Sequence, residues 1–268
     1  MTSEQSAMAQ LLEVMRRLRD PEGGCPWDRE QTYETIVPYT LEEAYEVADS
    51  IERGELGELK EELGDLLFQI VFYCQIAREQ EVFDFEQVAA AIVAKMIRRH
   101  PHVFGDARVE DQDSLRQAWE AAKAEERSLK PDEDNSQLAG VARGLPALLR
   151  AHKLQKRAAD VGFDWPGVEG ALDKTREEID EVEEAAGTLG RAGLEEELGD
   201  LLFALVNVVR LYGFDAENVL RRANDKFERR FRRMEGLLLQ ENPGELLRFS
   251  LDELEDAWEQ VKREERKA

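Results

Sequence analysis

One acidic motif occurs twice in this chain, 135 residues apart and without a gap. Glu42, Glu43 and Glu46 in LEEAYEV are followed by Glu62 and Asp65 in LKEELGDLLF. Glu177, Glu178 and Glu181 in REEIDEV are followed by Glu197 and Asp200 in LEEELGDLLF. A repeat of this size is a whole domain, so an array of short repeats is excluded and two diverged copies of one unit are implied. The 268 residues are enough for two domains of ordinary size.

The copies read as helical. Leu63, Leu66, Leu67 and Ile70 recur at the spacing of a packed helix stripe, and Leu198, Leu201, Leu202 and Leu205 repeat it. Helices are expected near 5–19, 40–53, 56–80, 85–99 and 114–128, then near 144–158, 168–188, 192–213, 215–240 and 250–266. The polar run SLKPDEDNSQ, with its proline, is the natural linker. The fold class is all-α, in two tandem four-to-five-helix bundle domains: 1–128, a linker over 129–140, and 141–268. Outside the acidic motif the offset changes. Lys95, Arg98 and Arg99 match Lys226, Arg229 and Arg230 at 131, and Ala118, Trp119, Glu120 and Lys123 match Ala257, Trp258, Glu259 and Lys262 at 139.

A formal charge of -23 bounds the partners. Such a surface repels nucleic acid and anionic membrane, and a polyanionic small substrate has to be bridged by cations. Cys25 and Cys74 make no disulfide framework. The N-terminal stretch is charged throughout, unlike a signal peptide, and no segment approaches the roughly 20 apolar residues that span a bilayer. A cytoplasmic protein is expected.

At about 100° per residue, Glu42, Glu43 and Glu46 share one side of a helix, and Glu62 and Asp65 flank the leucine stripe of the next. Two such helices packed antiparallel bring up to five carboxylates together, where like charges repel and a cation relieves them. A lone EExxE run is an ordinary solvated face. With ExxD on the next helix, and both repeated in register, it is a ligand set for a hard divalent cation, Mg²⁺ or Mn²⁺. Iron is disfavoured, since none of His100, His102 and His152 stands three after a motif glutamate. Lys226 and Arg230, four apart, are candidate anion ligands, as are Lys95 and Arg99 in the first copy. Arg232 and Arg233 read as a face paired with neighbouring glutamates. Trp258, four before Lys262, is either a packing anchor or a platform for a nucleobase.

The runs GGCPWD, YTLEEAYEV, EELGDLLFQ, RRHPHVFGD, VGFDWP, EELGDLLFALVN and KFERRF, spread over nearly the whole chain, closely resemble the MazG family. These are two-domain nucleoside triphosphate pyrophosphohydrolases of the all-α NTP pyrophosphatase group. The resemblance implies hydrolysis of NTPs and dNTPs, with broad base specificity, to monophosphate and pyrophosphate. It also implies Mg²⁺, ATP among the bound nucleotides, and a homodimer. By the same resemblance Glu178, Glu181, Glu197 and Asp200 ligate the metal, with Glu177 beside them; a carboxylate of the cluster takes the proton of the attacking water, and Glu177 or Glu178 is the candidate general base. The resemblance also implies that Lys226, Arg230, Trp258 and Lys262 bind substrate; Asn207 and Lys174 are further candidates from this sequence itself. Glu42, Glu43, Glu46, Glu62, Asp65, Lys95 and Arg99 form a second, weaker site. Activity in two-domain members is assigned to the C-terminal copy, and Phe72 standing where the second copy has Asn207 agrees with that. The intact N-terminal carboxylates do not. The alternative is a non-catalytic acidic helical scaffold or dimerisation protein with structural metal, which has no need of the duplicated Lys, Arg and Trp.

Overall fold

The computed structural model describes residues 6–105, 111, 115, 119, 136–241 and 246–266. Most of the helix expected over 114–128, and residues 129–135 of the expected linker, lie outside them. The chain divides into two units, Met1–Pro131 and Asp132–Ala268.

The first unit contains α1 (Ala7–Leu18), the one-turn helix α2 (Pro26–Glu30), α3 (Tyr33–Arg53), α4 (Leu56–Glu79), α5 (Phe85–Arg99) and a second one-turn helix, α6 (Pro101–Phe104). The short pair went unread in the sequence because each is too brief to show a period; each begins on a proline, at the position where its missing N–H is harmless. The helix expected from residue 40 begins at Tyr33. Thr32 and Thr35 form a reciprocal cap there, strong enough to start the helix ahead of Pro38, which forfeits one backbone bond inside it. Gly54, at φ 75°, ends α3 in the left-handed region and turns the chain into α4. Met15, Ile36, Val71, Phe72 and Ile76 are the buried core, drawn from α1, α3 and α4.

The second unit contains α7 (Ala147–Ala159), α8 (Val168–Thr188), α9 (Gly190–Leu211), α10 (Ala216–Glu241), a 3₁₀ turn at Leu246–Arg248 and α11 (Leu251–Glu265). The turn between α8 and α9 is a single residue, Leu189. Here the left-handed residue is Gly190, one place later than Gly54 in the repeat frame, yet the connection has the same overall length. Ser250 and Glu253 cap α11 reciprocally, and Met234, Leu238, Ala257 and Val261 bury the contact between α10 and α11. No β-strand occurs among the described residues of either unit.

Candidate active site

In an antiparallel helical hairpin, residues equally far from the turn stand level. Glu178 precedes Leu189 by 11 residues and Asp200 follows it by 11, so at the helical rise both lie about 16 Å from the turn. Glu43 and Asp65 are related to Gly54 in the same way. The register delivers what it should. One oxygen from each of Glu178, Glu197 and Asp200 lies within 4.8 Å of the others, and Glu43, Glu62 and Asp65 form the same triad in the first copy.

The two triads differ in their surroundings. Glu178 is 5 % exposed, and its Oε2 is buried with no hydrogen-bond partner. An ionised oxygen in that position is expensive unless a cation meets it. The donor set is carboxylate oxygen alone, without histidine or thiol, which suits a hard divalent ion. Around Glu178 the Lys174 ammonium donates to Glu177 Oε1 at 2.8 Å, stands 2.9 Å from Glu178 Oε1 and 3.7 Å from Glu181 Oε2. Glu177 and Glu178 push the Lys174 pKa up. Glu181, one turn beyond Glu178, is outside the triad. Its pKa is raised by desolvation and by Glu178, Glu177 and Glu197, against the pull of Lys174.

In the first copy the place of Lys174 is taken by Tyr39, whose ring meets Trp27 edge-on at 5.8 Å between centroids. Among the described residues no basic side chain pairs with Glu43, Glu62 or Asp65. Partial burial, then Asp65, Glu46 and Glu62, raise the Glu43 pKa. Glu62 is raised likewise, by desolvation and then by Glu46 and Asp65. Glu42 is exposed on α3.

Other residues expected at the site lie on two further helices. Arg230 on α10, and Trp258 and Lys262 on α11, have contacts within the α10–α11 pair. Arg230 Nε donates to Glu265 Oε2 at 2.7 Å, and Lys262 donates to Glu259. Glu265 and Glu259 are each held below the usual carboxylate range by those bonds. Trp258 packs on Phe227 at 5.4 Å, while Lys226 is exposed. Arg232 and Arg233 pair with Glu228 and Glu264, as their reading as a solvated face requires. Among the described residues none of these cations reaches the Glu178 triad. In the first copy Arg99 lies over the Trp119 ring at 5.4 Å, and Lys95 is half-buried on the same helix.

Sequence reading missed two arginines. Asn207 Oδ1 accepts from Arg210 Nε at 3.0 Å, and Arg210 is fixed in turn by Asp164. Phe72, the counterpart of Asn207, is in the core with the Arg19 guanidinium 5.4 Å above its ring, and Arg19 pairs with Glu79 at 2.7 Å. The signal for Arg210 was its position one turn after Asn207; for Arg19 there was none.

The family model described as the MazG nucleotide pyrophosphohydrolase domain matches residues 31–104 and again 167–234. The nucleoside triphosphate pyrophosphohydrolase of Escherichia coli K12 is 52 % identical over 95 % of this chain and 97 % of its own. Thermotoga maritima has a relative called nucleoside triphosphate pyrophosphohydrolase/pyrophosphatase MazG, 42 % identical over 94 % of each chain. The crystal structure of a mazG-related protein from Thermotoga maritima aligns with 43 % of this chain and 98 % of its own, at 27 % identity and a TM-score of 0.37.

Proposed function

The chain belongs to the MazG nucleotide pyrophosphohydrolase family, and from that premise we infer that its second carboxylate cluster is where nucleoside triphosphates are hydrolysed. The protein is an enzyme, a nucleoside triphosphate pyrophosphohydrolase, and the scaffold alternative falls away. Its substrates are NTPs and dNTPs of any base, ATP included, and its products are the monophosphate and pyrophosphate. The observation that carries the choice of site is the buried, unpartnered Oε2 of Glu178 within a triad of acids.

Glu178, Glu197 and Asp200, with Glu181 a turn away, would hold Mg²⁺, or Mn²⁺ in its place. When bound, the ion supplies Lewis-acid neutralisation of the triphosphate, which the charge of -23 otherwise repels. Glu177 is exposed beside the triad and is the carboxylate left to take the proton of the attacking water at its Oε1 or Oε2. Lys174, on the same helix, and Asn207, held in place by Arg210, orient the phosphates. Lys226, Arg230, Trp258 and Lys262 reach the nucleotide from α10 and α11, which requires Arg230 and Lys262 to leave Glu265 and Glu259.

We assign the protein to the cytoplasm as a homodimer, acting in control of the nucleotide pool without nucleic-acid or membrane partners. No helix among the described residues is long and apolar enough to cross a membrane. Support for the dimer comes from apolar residues that stay exposed on α9 and α10, among them Leu202, Phe203, Leu205, Leu220 and Phe227. A panel of NTPs and dNTPs assayed with Mg²⁺, with monophosphate resolved from diphosphate, tests the activity. Monophosphate and pyrophosphate are the expected products, and release of diphosphate and phosphate would refute it.

A further inference from the structure

Among the described residues Lys174 gives the C-terminal acids a basic partner that the N-terminal acids lack. Its ammonium lies within 3.7 Å of three carboxylates, Glu177, Glu178 and Glu181. It gives Glu178 Oε1 a cationic partner and leaves Oε2 without one. The residue is 36 % exposed at the side chain, so its stem has open solvent to swing into. Lysine suits such a post: a compact charge on a flexible stem, able to change partners without the fixed fork of arginine.

A divalent ion at Glu178 and an ammonium at Glu178 oppose one another. They are like charges, and at separations of a few ångströms in a partly buried site their repulsion is substantial. Separating Lys174 from Glu178 also leaves a buried carboxylate whose charge has to be met by the newcomer. We infer that Lys174 is a built-in stand-in for the divalent ion, a tethered counter-ion of the C-terminal carboxylates that metal displaces when it binds. The displaced ammonium remains on α8 at the edge of the cluster, released for an anionic ligand. Among the described residues the N-terminal cluster, with Tyr39 in this place, has no such counter-ion.

This rests on the assignment of Glu178, Glu197 and Asp200 as metal ligands, and the test separates the two claims. The full chain carrying Glu62→Gln, which disables the N-terminal triad, is titrated with Mn²⁺ by calorimetry and melted in EDTA. Addition of Lys174→Gln should tighten Mn²⁺ binding roughly tenfold, since one charge-assisted contact no longer has to be broken. It should also lower the melting temperature in EDTA, with the gap closing at saturating Mn²⁺. Lys174→Arg, which keeps the charge, should track the parent in both measurements. If Mn²⁺ binds and Lys174→Gln leaves its affinity unchanged or weaker, the displacement is wrong. Equal tightening by Lys174→Arg would overturn it too, because charge would then not be the cause. If the parent binds no Mn²⁺ that Glu197→Gln abolishes, the metal assignment itself fails and takes the displacement with it.

Discussion

Glu62 and Glu197 hold the same place in the two copies, and their substitution separates the two sites. Glu197→Gln keeps the size and removes one charged ligand from the triad that includes buried Glu178. A loss of roughly 10³-fold in turnover is expected, equivalent to several kcal/mol of Lewis-acid contribution. Glu62→Gln should leave activity within a few-fold of the parent; steady-state rates with saturating Mg²⁺ decide, and equal losses would mean that both copies work. A second expectation concerns His152 on α7. Burial disfavours its imidazolium and lowers its pKa from 6.5, with Asp215 opposing the shift and Arg210, Lys156 and Lys153 adding to it. A depressed pKa in the folded state means stability present above 6.5 and lost as pH falls toward the folded value. The urea midpoint should therefore drop as the pH falls below about 6.5, and His152→Gln should remove that share of the drop. The acids of the site were legible in the sequence because helical periodicity fixes which way a residue faces. The bond from Arg210 to Asp164 was not, because it joins residues 46 apart through a fold that local spacing does not encode.

At the level of elements, most long helices were readable to within a few residues because stripe and cap agree, as at Asp84, where Gln87 completes the box that starts α5. The start of α3 was not, since a cap at Thr32 outweighs a proline six residues on. Two elements offer clean tests. Gly54 ends α3 at φ 75°, and a Cβ there would meet nothing within 4 Å, so Gly54→Ala carries only the backbone penalty of the left-handed region. A destabilisation of about 1 kcal/mol is expected, read from the urea midpoint. Ser250→Ala removes the side-chain acceptor for the Glu253 N–H and breaks the cap of α11, again at about 1 kcal/mol.

For the whole molecule, the exposed leucines and phenylalanines of α9 and α10 set the expectation of a dimer of obligate type. Sedimentation at micromolar concentration should give twice the mass of 30.7 kDa, and a stable, active monomer would count against the assignment. The hairpin also limits how the chain can change in length. Between Glu43 and Glu62, and again between Glu178 and Glu197, the chain advances by 19 residues. One residue more on either arm would slide that arm by about 1.5 Å and rotate it by about 100°, carrying its acids off the shared side. Insertions and deletions are therefore barred from this stretch and admitted outside it. The two copies keep the offset of 135 from one end of the acidic motif to the other, then drift to 131 at Lys95 and Lys226 and to 139 at Trp119 and Trp258. Each triad is a ruler laid into its own half of the chain, and divergence has left its length unaltered.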